Sequence, residues 1–308
     1  MKKIIVTILL AALLFSGCQP AATGTQGGLR VLVVETFLAD ITQNVAGERL
    51  KVDALIPLGL DPHAFEPSPR DVARIADSSV LVVNGAGFEE WLKPVLTNTG
   101  GQHQVIEASA GLTSRAAREG EVLEGDTGHA HDLGDPHFWL NPLYAVTYVE
   151  NIRDGLTQAD PAGKELYAAN AAAYIARLQE LDRWIQQQVQ AIPPAQRLLV
   201  TNHESLGYFA DRYGFRIAGT VVPSVSSDAS PSAQQLARLI DQIRATRARA
   251  IFIETGSSPL LAQQVADETG ARVVTDLYTH SITPPDGPAP TYLDMMRANV
   301  TAIVNALR

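Results

Sequence analysis

The chain has 308 residues, with 24 Lys and Arg against 33 Asp and Glu, and a formal charge of -9. An acidic chain without basic runs argues against nucleic acid as a partner. Cys18 is the only cysteine, so internal disulfides and cysteine-rich metal sites are excluded, and any metal must be held by nitrogen and oxygen.

Residues 1–17 are expected to be a targeting segment. Lys2 and Lys3 precede an apolar run from Ile4 to Phe15 that is too short to span a membrane as a mature helix. Phe15-Ser16-Gly17-Cys18 resembles a bacterial lipoprotein signal, cleaved before Cys18, whose thiol then carries the lipid. Loss of Lys2 and Lys3 with the leader would take the charge from -9 to -11. Residues 18–28 are small, polar and Gly-rich, and read as a flexible tether. Residues 29–308 are numerous enough for two domains.

Short apolar runs then alternate with helical patterns. Strands are expected at Arg30–Glu35, Val52–Pro57 and Val80–Asn84, with a weaker one at Val105–Ile106. Helices are expected from the end of the first strand to about Ala46, over Pro69–Ala76 and over Phe88–Leu96. Near-continuous apolar strands between helices indicate a parallel sheet covered on both faces. Residues 109–135 lose this periodicity and form a long acidic loop. Asn141-Pro142 and Asp160-Pro161 each start a helix, with the polar residue as cap and Pro at the first position. The second helix runs to about Ala191. At roughly 30 residues it would be about 45 Å long, enough to cross between two domains.

Beyond it, strands are expected at Leu198–Thr201, Ile217–Val222, Ala250–Glu254 and Val273–Thr275. Helices alternate with them at Ser205–Tyr213, Ser232–Thr246, Pro259–Thr269 and Tyr292–Leu307. The fold is therefore α/β, with two similar lobes, each a four-stranded, mainly parallel sheet flanked by helices. The N-terminal lobe spans 29–160, a long rigid linking helix 161–192, and the C-terminal lobe 193–308.

Three separated segments place a histidine where a ligand would be expected: Asp61-Pro62-His63, Asp135-Pro136-His137 and Asn202-His203-Glu204. A proline before a histidine stiffens the backbone entering it, and the residue before the proline is held extended. In an open α/β sheet, ligands gather outside the carboxyl ends of the strands. His63 and His203 leave strands at that edge, and Asp276 directly follows Val273–Thr275. Facing lobes would bring His63, His137, His203 and Asp276 to one point, three imidazoles and one carboxylate suited to a first-row divalent cation. His280 is a weaker substitute for Asp276, Glu254 reads as structural or outer-shell, and His103 as exposed. His129 and His131, in the acidic loop, are a possible auxiliary capture site that passes cations to His137.

The chain resembles the zinc- and manganese-specific solute-binding proteins of bacterial ABC importers. The resemblance is carried by Asp61-Pro62-His63-Ala64-Phe65-Glu66-Pro67-Ser68-Pro69, by Asp135-Pro136-His137-Phe138-Trp139-Leu140-Asn141-Pro142 and by Asn202-His203-Glu204-Ser205-Leu206-Gly207-Tyr208-Phe209. Ile251-Phe252-Ile253-Glu254 and the run to Asp276 are also similar. It implies two α/β lobes joined by one long helix and a metal held in the cleft by His63, His137, His203 and Asp276. It also implies delivery to a membrane permease powered by a cytoplasmic ATPase.

Histidine at 203, where manganese-preferring relatives often carry glutamate, points to Zn2+, with Mn2+ as the alternative. Capture and handover without bond chemistry is the expected activity, so the chain is not expected to be an enzyme. A monomer is expected, exported and lipid-anchored at the outer face of the cytoplasmic membrane or in the periplasm. Release is expected through loop movement near Asp276, because the long helix limits hinge opening. The competing readings are a zinc hydrolase using Glu66 or Glu204 as base, and a lipid-anchored adhesin that shares the fold.

Overall fold

The structure is a computed structural model that describes residues 28–99, 103–115, 134–227 and 229–308. Cys18, the leader and His129 and His131 lie outside the described residues.

Two sheets of four parallel strands form the two lobes. The first holds β1 (Val31–Val33), β2 (Val52–Ala54), β3 (Val80–Val83) and β4 (Gln104–Glu107), in the order β2-β1-β3-β4. The second holds β5 (Leu198–Thr201), β6 (Arg216–Thr220), β7 (Ala250–Glu254) and β8 (Arg272–Leu277), in the equivalent order β6-β5-β7-β8. The central strands β1, β3, β5 and β7 are buried at every position. That is why they read as unbroken apolar runs: helices cover both faces.

Helices in the first lobe are α1 (Thr36–Ala46), α2 (Pro69–Asp77), α3 (Leu92–Thr99) and α4 (Pro142–Ala159). Their starts follow local chemistry. Ser68 and Asp71 cap α2 reciprocally, with Pro69 opening the first turn. Asn141 accepts from Leu143 N at 3.0 Å ahead of Pro142. The α3 helix starts four residues later than the sequence pattern implies, because Gly85, Ala86 and Gly87 all take positive φ, in a turn that precedes it.

The linking helix is α5 (Lys164–Val189), entered through a single 3-10 turn at Pro161–Gly163. Its 26 residues span about 39 Å. Tyr167, Ala171, Tyr174, Leu178, Leu181, Ile185 and Val189 are buried, a stripe at i+3/i+4 spacing along one side. The stripe packs on α1 and α4 of the first lobe and on α6 (Gly207–Tyr213) and α9 (Tyr292–Leu307) of the second. One apolar core runs continuously from Val31 through α5 to Leu307. The lobes are thus fused through a shared interior. Buried Asp182 of α5 strengthens the joint by accepting from Arg212 at 2.9 and 2.7 Å and from the Tyr213 hydroxyl at 2.9 Å. The remaining helices, α7 (Ala233–Thr246) and α8 (Leu260–Thr269), cover the second sheet, where α7 carries a Ser232/Gln235 capping box.

Candidate metal centre

The carboxyl edges of both sheets face one point, and there the side chains of His63, His137, His203 and His280 converge. The four ligand atoms lie within 4.8 Å of one another. Nε2 of His137 is 3.3 Å from Nε2 of His63 and 3.3 Å from Nε2 of His203. Four nitrogens placed tetrahedrally at zinc–nitrogen bond length are separated by roughly 3.3–3.4 Å. His137 and His203 are fully buried, His280 nearly so and His63 only partly, so His63 is the member closest to solvent.

The two Asp-Pro-His segments fold alike. In each, the Asp side chain accepts from the histidine backbone N–H two residues on: Asp61 Oδ1 from His63 N at 3.0 Å, and Asp135 Oδ1 from His137 N at 2.9 Å. This Asx turn, with proline stiffening its middle, is what the repeated tripeptide encodes. Asp135 Oδ1 also lies 2.9 Å from His137 Nδ1, so the ring presents Nε2 to the centre. The loop carrying His63 is held against the second lobe, because Ser227 Oγ donates to Asp61 Oδ2 and Gly59 N to Ser281 Oγ at 2.8 Å.

His203 follows β5, and its carbonyl accepts from Thr201 Oγ1 at 2.8 Å. His280 follows β8. Both rings turn Nδ1 towards Glu254, at 2.9 Å from Oε1 for His203 and 3.3 Å from Oε2 for His280. Phe88 closes the site from the first lobe, with ring centroids 4.8 Å from His63 and 5.6 Å from His137. Trp139 sits in the 3-10 turn after His137 and donates from Nε1 to the Thr279 carbonyl at 2.7 Å, joining the two ligand-bearing loops across the cleft.

Asp276 does not reach this point. The sequence pattern ends the last strand at Thr275, but β8 continues to Leu277, where the Leu277 carbonyl accepts from Thr255 N at 2.8 Å. Asp276 is therefore inside the strand and exposed on its solvent side. The loop begins two residues later than expected and delivers His280 in its place. Of the sequence candidates, the structure brings His63, His137, His203 and His280 together and leaves Asp276 outside the cluster. Glu254 takes the outer position, and Glu66 is exposed.

Burial and the neighbouring imidazoles hold His63 and His137 well below the ordinary histidine value. Burial also works against charge on His280, but the Glu254 carboxylate outweighs it and raises that ring. Carboxylates face Nδ1 of His137, His203 and His280, and Nε2 of His137 lies 3.3 Å from Nε2 of both His63 and His203. Four imidazoles converging on one point are a donor set for a borderline-soft divalent ion.

A family model described as zinc-uptake complex component A, periplasmic, matches residues 31–306. The chain is 35% identical to the manganese-binding lipoprotein MntA of Halalkalibacterium halodurans, over 100% of this chain and 99% of that one. It is 33% identical to the zinc-binding lipoprotein AdcA of Streptococcus pneumoniae, over 98% of this chain and 60% of that longer one. Among solved structures, the Mn-bound periplasmic metal binding protein from candidatus liberibacter asiaticus superposes with a TM-score of 0.77 at 31% identity, covering 90% of this chain and 99% of that one.

Proposed function

Because this chain belongs to the zinc-uptake complex component A family, we propose that it captures a zinc ion outside the cytoplasm and hands it to the permease of an ABC importer. The observation that carries the proposal is the convergence of four imidazoles, with the two Nε2 separations from His137, both 3.3 Å, close to the edge of a zinc-centred tetrahedron. The ion is cargo. Four protein donors close its coordination sphere, which leaves no position for an activated water and no bond chemistry to perform.

Zinc is favoured over manganese by donor chemistry. Manganese prefers carboxylate, carbonyl and water oxygens, whereas all four groups here are nitrogen donors, His280 standing where an oxygen was expected. The manganese alternative draws on the name of the Halalkalibacterium relative; the all-imidazole set weighs against carrying it over.

Lipid on Cys18 would hold the protein close to its permease and raise the local concentration. Among the described residues no helix is long and apolar enough to cross a membrane, and the MntA and AdcA relatives are named lipoproteins. His129 and His131 would serve as an auxiliary capture point. Release would proceed by movement of the ligand loops, because the shared core and α5 oppose a wide hinge. The test is uptake. Cells lacking the gene should regain growth at scarce zinc with the native chain and not with His63→Ala. Growth restored equally by both would defeat the proposal.

A further inference from the structure

The four imidazoles are held in two different ways. In the first lobe each ligand carries its own support, because the Asx turn of Asp-Pro-His fixes His63 through Asp61 and His137 through Asp135. The second lobe has no such motif. His203 follows Asn202 and His280 follows Thr279, and neither is preceded by the Asp-Pro that would fix its backbone.

The sheet order explains what replaces it. In β6-β5-β7-β8, strand β7 lies between β5 and β8. The loop after β5 carries His203 and the loop after β8 carries His280. The last residue of β7, between them, is Glu254, and it is 3% exposed. Its Oε1 lies 2.9 Å from His203 Nδ1, its Oε2 lies 3.3 Å from His280 Nδ1, and Ser205 Oγ donates to Oε1 at 2.8 Å. The two rings pack with centroids 5.1 Å apart. The backbone behind this carboxylate is held on the β8 side, where Glu254 pairs with Leu277, while the β5 ladder ends at Phe252.

We propose that Glu254 is the shared positioning residue of the second lobe, making His203 and His280 one two-toothed unit while His63 and His137 act as independent ligands. The proposal rests on the zinc-capture reading. The carboxylate sets one oxygen beside Nδ1 of each ring, joined at His280 by Thr279 Oγ1 at 3.3 Å, and leaves both Nε2 atoms for the ion. It also places a carboxylate just behind the second lobe's ligands, as Asp135 does behind His137. Disturbing Glu254 therefore removes the benefit of two ligands at once.

The test uses purified metal-free protein, zinc titrated against a chelating competitor, and cobalt(II) as a spectroscopic probe. Glu254→Gln keeps the shape but cannot accept from both rings. Zinc affinity should fall about 10- to 100-fold, while the melting temperature of the metal-free protein stays close to that of wild type. Cobalt should lose the intense visible bands of a tetrahedral site. Repeating the substitution in a His63→Ala background should cost the same factor. In a His203→Ala/His280→Ala background it should cost less than about twofold, because no ring remains to be positioned. Wild-type zinc affinity in Glu254→Gln, or an undiminished cost in the background lacking both rings, would overturn the shared role. Ser205→Ala, a milder change to the same carboxylate, gives the same comparison should Glu254→Gln not fold, and should weaken zinc in the same backgrounds; no weakening counts against the role. Wild-type protein that takes up no zinc would instead defeat the capture reading itself.

Discussion

Replacing Trp139 by phenylalanine isolates the contact that joins the loops carrying His137 and His280. The indole is fully buried, stacks on Phe37 at a 4.5 Å centroid distance and packs edge-on to Phe88 at 4.9 Å. Its Nε1 donates to the Thr279 carbonyl at 2.7 Å, and its own carbonyl accepts from the Tyr292 hydroxyl at 2.5 Å. Phenylalanine keeps an aromatic ring against Phe37 and keeps the backbone contact to Tyr292. It removes the donor to Thr279 and part of the ring volume. A buried carbonyl left unpaired costs about 1–3 kcal/mol, and the partial loss of packing adds roughly 1 kcal/mol. Metal-free Trp139→Phe should therefore be about 2–4 kcal/mol less stable. At roughly 2–4 °C per kcal/mol, its melting temperature should fall by at least about 4 °C. Zinc affinity should fall as well, since Thr279 immediately precedes His280. Urea denaturation of the metal-free protein and chelator-competition titration measure the two effects. A metal-free midpoint unchanged from wild type would refute the reading that this hydrogen bond bolts the lobes together.

Asp276→Ala should leave zinc affinity and melting temperature unchanged, since the side chain is exposed; a marked loss of affinity would restore it to the ligand set. Asp182→Ala should cost at least about 2 kcal/mol, because it strands the Tyr213 hydroxyl and the Arg212 guanidinium at the α5–α6 joint; equilibrium unfolding measures it. The hydrogen bond from Arg49, with a second from Tyr167, depresses the Asp160 carboxyl from its ordinary 3.8 to about 2. A depressed carboxyl stabilises the fold above the unfolded value, and that contribution is lost as pH falls through the folded one. Wild type should therefore lose stability between about pH 4 and pH 2 in a component that Asp160→Asn lacks; melting curves across that range that differ by a constant offset would contradict the assignment.

The two-lobe fold was legible because its central strands are buried on both faces and so appear as apolar runs such as Val80–Val83 and Ala250–Glu254. The linking helix was legible from its composition and its Pro boundaries. Of the four converging histidines, His63 and His137 were visible because a local Asx turn fixes them, and that turn has a sequence signature. His203 was visible from its place just past a strand. The fourth histidine, His280, ranked only as a weaker substitute for Asp276, because its place depends on where β8 ends, and strand ends are set by pairing with a neighbour. The bond from Thr255 N to the Leu277 carbonyl carries β8 past Asp276, and no local residue announces it. Glu254 stood out as a strand-end carboxylate, but its service to two rings comes from strand order, which is a property of the whole sheet.

The central claim is that four imidazoles hold one zinc ion. Its most direct test is titration of metal-free protein with zinc and manganese in competition, with elemental analysis of the product and of His280→Ala. The account predicts one zinc per chain, retained against excess manganese, and a marked loss of zinc affinity in His280→Ala. Manganese held in preference to zinc, or unchanged zinc binding in His280→Ala, would contradict it.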